Sequence, residues 1–290
     1  MGKFVISAFA DEIDENLDSH MDVLKQHDIK FIELRRVDGK KSKNITEHSI
    51  DEVKEVKRRL DARGFKISAV GSTIGKIGIT DDFAPHLELF KHTLEIACVL
   101  ETKYIRLFSF YTPKGENPDN YGDAVLDRWY RFVNAADGTG ITLLHENEKH
   151  IYGDTPERCL HLLKELNSKN VRAVFDPANF VQCNVITCPD AYKLLMDYIE
   201  YIHIKDALFS NQQVVPAGEG DGQIKDILTA LSKHGYQGFL SLEPHLAHFE
   251  GFGTLEPDSE IRSMPDGGRR RFAIALHALN KLLKQIGDQI

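Results

Sequence analysis

The sequence predicts an α/β protein of the (β/α)8 TIM-barrel class, organised as a single domain over residues 1–290. Three observations support this fold. Eight short runs of apolar or β-branched residues recur along the chain, amphipathic segments with helical spacing lie between them, and 290 residues suit a barrel of this kind. Alternating strands and helices form parallel sheets, and eight such units favour closure into a barrel.

The eight predicted strands are runs of six or seven residues that are rich in β-branched or other apolar side chains. In chain order they are KFVISAF near residue 3, KFIELR near 30, KISAVG near 66, YIRLFSF near 104, ITLLHE near 141, VRAVFD near 171, YIHIKD near 201 and FLSLEP near 239.

Helices are predicted between the strands, because apolar residues recur there at intervals of three or four. After the last strand, residues of about 247–268 are rich in Gly and acids and predict a loop over the active-site end, while about 269–287 predict a closing helix. The clearest apolar faces are Leu17, Met21 and Leu24; Val53, Val56 and Leu60; Leu94, Ala97 and Leu100; and Tyr192, Leu195 and Tyr198.

An open, doubly wound sheet is the alternative fold. Such sheets commonly place a glycine-rich loop after the first strand, where it binds a dinucleotide. The corresponding segment here reads AFADEID and contains no glycine, which argues against a dinucleotide site.

Composition and charge narrow the classes of function. The net charge of −8 disfavours general nucleic-acid binding, which depends on Lys and Arg neutralising phosphates. No apolar stretch approaches the roughly 18 residues of a membrane helix, and the N-terminus lacks the pattern of a signal peptide. The four cysteines form no CxxC pair, which favours free thiols in a reducing compartment. We therefore expect a cytoplasmic protein without nucleic-acid or membrane partners.

Four ionisable residues stand at the ends of four consecutive predicted strands. They are Glu146 in LLHENE, Asp176 in AVFDPANF, His203 in YIHIKDA and Glu243 in LSLEPH. In a parallel barrel the carboxyl ends of all strands meet at one rim, which is where active sites lie. Three carboxylates on one concave rim would repel one another unless a positive charge lay between them. One divalent ion would supply that charge, and this donor set suits Mn²⁺, Mg²⁺, Co²⁺ or Zn²⁺.

With these motifs the chain resembles the xylose-isomerase-like barrel superfamily, and within it the sugar phosphate isomerase/epimerase group. The resemblance runs from FADEID to LSLEPHL, and its most specific parts are HEN, FDPAN, HIKDA, GEGD and SLEPH. It implies that Glu146, Asp176, His203 and Glu243 bind one divalent metal ion. It also allows a homo-oligomer, since dimers and tetramers are common among similar enzymes.

The resemblance further implies a sugar or polyol-derived substrate and a reaction that begins with proton removal. In the ketose epimerases of this group, the residues that match Glu146 and Glu243 remove a proton beside a carbonyl and return it from the opposite face. A metal ion that binds the carbonyl and a neighbouring hydroxyl would stabilise the resulting enediolate. We therefore expect a metal-dependent isomerase or epimerase of carbohydrate metabolism.

Further residues are candidates for contacts around this site. Asn179 stands where similar epimerases often have a substrate-binding His, and a carboxamide can also bind a sugar hydroxyl. The other candidate substrate-binding residues are Lys205, Glu219, Arg35, Arg106 and His245. Asp206 is expected to orient Lys205 or a metal ligand, and Glu33 is a possible ion-pair partner of Arg106.

Three other functions remain open at this point. A dehydratase of the inosose type would begin with the same proton abstraction and then expel a hydroxyl. A DNA-repair endonuclease on the same barrel is disfavoured by the negative charge and by the lack of extra strand-end histidines. A non-catalytic sugar-binding barrel would need no acid/base pair.

Overall fold

The structure is a computed structural model that describes residues 4–38, 43–246 and 267–287. A closed barrel of eight parallel strands forms its centre, so the predicted (β/α)8 fold is confirmed. The barrel strands are β1 (Val5–Ala8), β2 (Phe31–Leu34), β3 (Lys66–Gly71), β4 (Tyr104–Leu107), β5 (Thr142–Glu146), β6 (Val171–Phe175), β7 (Ile199–Ile204) and β10 (Phe239–Leu242). Each lies at one of the eight predicted positions.

Helices follow the strands and cover the outside of the barrel. Several begin at residues that satisfy their free N–H groups: Ser49 and Glu52 form a capping box at the start of α2, for example. In the described residues the helices are α1 (Leu17–Gln26), α2 (Ile50–Ala62), α3 (Ala84–Val99), α4 (Gly122–Ala136), α5 (Pro156–Leu166), α6 (Pro177–Gln182), α7 (Tyr192–Leu195), α8 (Ile224–Lys233) and α9 (Gly268–Ile286).

The first and last barrel strands pair with each other and close the ring. Val5 is opposite Phe239, and Ala8 is opposite Leu242. On its other side β10 pairs with β7, where Ser241 is opposite His203. The candidate residues of β7 and β10 therefore reach the same rim.

The alternation of side chains along β7 separates two parts of the core. Ile202 and Ile204 point outward and pack in the large cluster between barrel and helices. Tyr201 and His203 point inward. Tyr201 lies below His203 in a small interior cluster that fills the barrel, together with Ala69, Tyr104, Leu144 and Val174. Packed side chains thus fill the inside of the barrel beneath the candidate site.

A short hairpin, which the sequence pattern did not predict, follows β7 at the rim. It consists of β8 (Asp206–Ala207) and β9 (Val214–Val215), which pair in antiparallel fashion. All four cysteines are free. Among the described residues, no helix has both the length and the apolar character needed to cross a bilayer. The predicted loop at 247–268 lies almost wholly outside the described residues.

Candidate metal centre

The ends of four neighbouring barrel strands bring Glu146, Asp176, His203 and Glu243 together. Glu146 ends β5, Asp176 and Glu243 directly follow β6 and β10, and His203 lies near the end of β7. Each offers one oxygen or nitrogen atom, and these four atoms all lie within 4.8 Å of one another. All four side chains are buried. The strand order of the barrel thus produces the cluster that the strand ends predict.

The two carboxylate oxygens of Asp176 have different roles. Oδ1 accepts a hydrogen bond of 2.9 Å from the backbone N–H of Asn179 and so caps the first turn of α6. Oδ2 faces the cluster, 2.9 Å from Lys205 Nζ and 3.7 Å from His203 Nδ1. Oδ2 is buried and makes no hydrogen bond of good geometry. The helix cap therefore fixes the rotamer that points the second oxygen into the site.

His203 lies between two sets of carboxylates. Its Nδ1 is 3.0 Å from Glu146 Oε1 and 3.6 Å from Glu243 Oε2. Its Nε2 is 3.2 Å from each oxygen of Glu33. Burial lowers the pKa of His203, but the charges of Glu146 and Glu33 outweigh it, and the pKa lies well above its usual value. Glu33 therefore contacts His203, and not Arg106 as the sequence suggested.

Glu146 has a cationic or polar partner on each oxygen. Arg106 Nη1 donates to Oε2 at 3.0 Å, and Asn179 Nδ2 donates to Oε1 at 3.2 Å. Burial raises the pKa of Glu146, but His203 and Arg106 more than offset it and lower the pKa to about 2. Glu146 is therefore a carboxylate at neutral pH. Arg106, a charge inside an apolar strand, is accounted for by this ion pair.

Glu243 is held by two further cations. Arg35 Nη1 lies 3.2 Å from Oε1, and Lys205 Nζ lies 2.9 Å from Oε2. Burial raises the pKa of Glu243, but Lys205, His245, His203 and Arg35 together hold it well below the usual value. Because Lys205 contacts both Asp176 and Glu243, it provides a buried positive charge at the edge of the cluster.

Arg35 and His245 lie at the outer side of Glu243. Arg35 is bound by Asp11, at 2.8 Å from Nε, and by Glu12, at 3.1 Å from Nη2. His245 Nε2 is 3.0 Å from Glu12 Oε1. Two cavities of about 370 and 430 Å³ adjoin this group and share Glu12 and Arg35 in their walls. Both sequence-predicted residues thus border space next to the cluster.

Asp206 and Glu219 lie apart from the cluster. The carboxylate of Asp206 accepts hydrogen bonds from the backbone N–H groups of Ala207, Gly218, Gly220 and Gly222. Added Cβ atoms at Gly220 or Gly222 would lie within 2.5 Å of that carboxylate. Asp206 therefore organises the loop before α8, and within the described residues its carboxylate is found in no hydrogen bond or ion pair with Lys205. Glu219 is an exposed residue of the same loop.

The donor set fits a divalent ion. Carboxylate oxygens and an imidazole nitrogen suit Mn²⁺, Mg²⁺, Co²⁺ and Zn²⁺ alike, so the set does not choose among them. The buried Asp176 Oδ2, which has no hydrogen bond, is the atom whose environment a bound cation would complete. Glu146, Asp176, His203 and Glu243 are the residues that would hold the ion.

Several neighbours of the site were not among the sequence-based candidates. Asn147 exchanges two hydrogen bonds of 2.9 Å with the backbone of Asp176 and so ties the end of β5 to the end of β6. Asp11 and Glu12 bind Arg35. The sequence did contain features that could have identified them. Asn147 belongs to the HEN motif, and Asp11 and Glu12 lie shortly after β1 in FADEID.

Comparisons with known proteins agree with the barrel fold. A family model described as a xylose isomerase-like TIM barrel matches residues 21–265. An uncharacterised protein of Methanocaldococcus jannaschii is 26% identical over 173 residues, which span 54% of this chain and 56% of that protein. The match therefore covers little more than half of that relative.

Solved structures of the same fold have low sequence identity to the chain. A D-tagatose 3-epimerase-like protein is 18% identical with a TM-score of 0.73, covering 98% of both chains. The IolI protein with a bound zinc atom is 15% identical with a TM-score of 0.73, covering 98% of this chain and 99% of that one. A probable 3-DHS dehydratase from Bacillus anthracis is 15% identical with a TM-score of 0.67, covering 83% and 92%. At identities this low, the similarity to these structures shows a shared fold only.

Proposed function

The chain belongs to the xylose isomerase-like TIM barrel family, and we propose that it is a divalent-metal-dependent isomerase or epimerase of a sugar or sugar derivative. The reaction would begin with removal of a proton from the carbon beside a carbonyl group. Glu146 and Glu243 would exchange that proton with the substrate.

The observation that carries this proposal is the position of the two glutamates. Both contribute an oxygen to one buried cluster, beside the ligand atoms of Asp176 and His203. Each also has a cationic partner, Arg106 for Glu146 and Lys205 for Glu243. A carboxylate that is ionised at neutral pH can accept a proton, and the protonated acid can return one. A barrel that only bound sugar would need no such pair.

A bound divalent ion would stabilise the negative charge that develops on the substrate oxygen as the proton leaves. The protein supplies the other parts of the chemistry. Asn179 Nδ2 and Arg106 bind Glu146, and Lys205 and Arg35 bind Glu243. These contacts fix each carboxylate in one orientation, which proton transfer to a single carbon requires.

The first test is elemental analysis of the wild type beside the double variant Glu146→Gln/Glu243→Gln. We expect about one equivalent of a divalent metal in the wild type, and a much weaker metal signal in the variant, which lacks two anionic ligands. The same proteins are then incubated with a panel of ketoses and Mn²⁺ in D₂O. Wild type is expected to place deuterium on the carbon beside the carbonyl, which NMR detects, and the variant is not.

The matched control is Glu101→Gln/Glu165→Gln, which makes the same change of charge at two exposed positions. It should keep both metal and exchange. Absence of metal from the wild type, even after dialysis against Mn²⁺, Co²⁺ and Zn²⁺, would overturn the proposal. A metal-loaded wild type that binds a ketose without any deuterium exchange would indicate a sugar-binding barrel instead.

A dehydratase is the second candidate, favoured by the dehydratase among the structures of the same fold. It would use the same base and then lose a hydroxyl group as water. Both candidates predict deuterium exchange, so the product separates them. An isomer or epimer has the mass of the substrate, whereas a dehydratase product is lighter by one water.

A further inference from the structure

Glu33 is a buried carboxylate that is not one of the four metal-ligand candidates but contacts one of them, His203. It lies in β2, and β1 and β10 separate β2 from β7 around the barrel. Its side chain crosses the interior to reach His203 Nε2, 3.2 Å from each oxygen. Both side chains are fully buried. Within the described residues His203 is the one ion-pair or hydrogen-bond partner found for Glu33.

The two nitrogens of His203 face different partners, and a histidine that binds a metal ion through one nitrogen has its proton on the other. Nδ1 is 3.0 Å from Glu146 Oε1, so a proton on Nδ1 would be held by Glu146. Such a proton would occupy the lone pair that faces Glu146, Asp176 and Glu243. Both oxygens of Glu33 face Nε2, where a carboxylate oxygen accepts a hydrogen bond from the ring N–H. Glu33 therefore favours the proton on Nε2 and leaves Nδ1 available.

Among the described residues, Glu33 is the one carboxylate found at Nε2. The rings of Phe9 and Tyr201 contact the imidazole edge-on, with centroids 5.3 and 5.9 Å away. They restrict the plane of the ring but provide no acceptor to Nε2. The hydroxyl of Tyr201 is engaged with Ser68 Oγ at 2.9 Å. Selection of the nitrogen thus depends on Glu33.

We propose that Glu33 is a positioning residue that holds the Nε2–H of His203 and thereby presents Nδ1 as the metal-binding atom. This inference rests on the metal site of the proposed function. A carboxylate behind a ligating histidine also raises the basicity of the other nitrogen, and loss of such a partner commonly costs 10–100-fold in metal affinity.

The test uses Glu33→Gln, which keeps the size of the side chain. A glutamine amide can donate to Nε2 as well as accept from it, so the variant removes the preference for one nitrogen. Two readouts are used: the affinity for Mn²⁺, and NMR of protein labelled with ¹⁵N-histidine. In the wild type loaded with ¹¹³Cd²⁺, we expect cadmium coupling to Nδ1 of His203. In metal-free wild type, we expect a slowly exchanging Nε2–H proton signal.

Glu33→Gln is expected to bind Mn²⁺ 10–100-fold more weakly and to lose or shift the Nε2–H signal. The control is Tyr201→Phe, which alters another buried neighbour of the ring but leaves Nε2 with its acceptor. It should keep the Nε2–H signal and an affinity within a few-fold of wild type. Equal losses in both variants would mean that Glu33 acts only through packing, and would overturn the proposal.

Coupling of cadmium to Nε2 in the wild type would overturn it as well. Failure of the proposed function gives a different result. If wild type binds no metal, the isomerase proposal falls, while the Nε2–H signal of the metal-free protein still reports on Glu33. A signal that is unchanged in Glu33→Gln would then overturn the positioning role.

Discussion

Lys205 illustrates how one side chain can balance a cluster of buried charges. Its Nζ lies 2.9 Å from Asp176 Oδ2 and 2.9 Å from Glu243 Oε2, and the side chain is almost fully buried. Burial lowers the pKa of Lys205, but Asp176, Glu243 and Glu146 outweigh it and raise the pKa well above its usual value. Lys205 is therefore charged in the metal-free protein, where it compensates part of the negative charge.

Replacement of Lys205 by Met should destabilise the metal-free protein by about 3–5 kcal/mol, because two buried carboxylates lose their common partner. A divalent ion would restore positive charge there, so saturating Mn²⁺ should stabilise Lys205→Met more than it stabilises wild type. Urea denaturation with Mn²⁺ and with EDTA measures both effects. An equal gain from Mn²⁺ in the two proteins would show that Lys205 and the ion do not share these carboxylates.

Residue identities at the rim follow from the sequence, but their partners do not. The sequence offers Glu33 as a possible ion-pair partner of Arg106. In the structure Glu33 contacts His203, and Arg106 contacts Glu146. Contacts across a barrel depend on strand tilt and side-chain length, which the pattern of one strand does not contain.

At the scale of elements, the start of α3 is joined to the turn after β3 by a titratable group. His86 Nε2 accepts a hydrogen bond of 2.7 Å from the backbone N–H of Gly75. Gly75 has φ +89°, and a Cβ there would lie 2.1 Å from the carbonyl oxygen of Phe108. This turn therefore needs glycine, and it needs a neutral imidazole beside it.

Stability should consequently fall as the pH drops from about 6.5 to 4. Burial, with a smaller contribution from Arg128, lowers the pKa of His86 to about 4. Between these pH values His86 is protonated in the unfolded chain but stays neutral in the folded protein. This difference lowers the free energy of unfolding by roughly 3 kcal/mol at most. Urea midpoints measured from pH 4 to 7 for wild type and His86→Gln check this.

The His86→Gln variant should show a shallower slope, because Gln can accept the same hydrogen bond and does not titrate. Part of the slope should remain, since burial also lowers the pKa of His145 to about 4. Identical slopes in the two proteins would exclude His86 as a source of the pH dependence.

The strand and helix positions were largely predictable, whereas the short rim elements were not. Each barrel strand is a concentrated apolar run between polar segments, and the helices repeat apolar residues every three or four positions. The hairpin β8–β9 has two residues in each strand. Such a stretch is too short for periodicity, and it depends on Asp206 binding the backbone of residues distant in sequence.

At the scale of the whole molecule, metal binding should stabilise the fold against heat. A ligand that binds the folded state alone, present at 100 times its Kd, adds about 2.7 kcal/mol to the free energy of unfolding. For a domain of this size that corresponds to a rise in Tm of roughly 4–5 °C. Calorimetry of the wild type with EDTA and with excess Mn²⁺ measures the shift.

The double variant Glu146→Gln/Glu243→Gln should show little or none of this rise, because two ligands are lost. A rise of the same size in wild type and variant would place the stabilising ion at another site.

The pairing of β1 with β10 also has a consequence for how the chain matures. Arg35 and Glu243 are in contact, yet 208 positions separate them in the sequence. When the first seven barrel strands have left the ribosome, β10 and the adjoining Glu243 have yet to be released. Until then the barrel would stay open between β1 and β7. The site, which already has Glu146, Asp176 and His203, would become complete only when β10 pairs with both of these strands. Because long-range contacts of this kind form slowly, assembly of the site is expected to be a late event of folding.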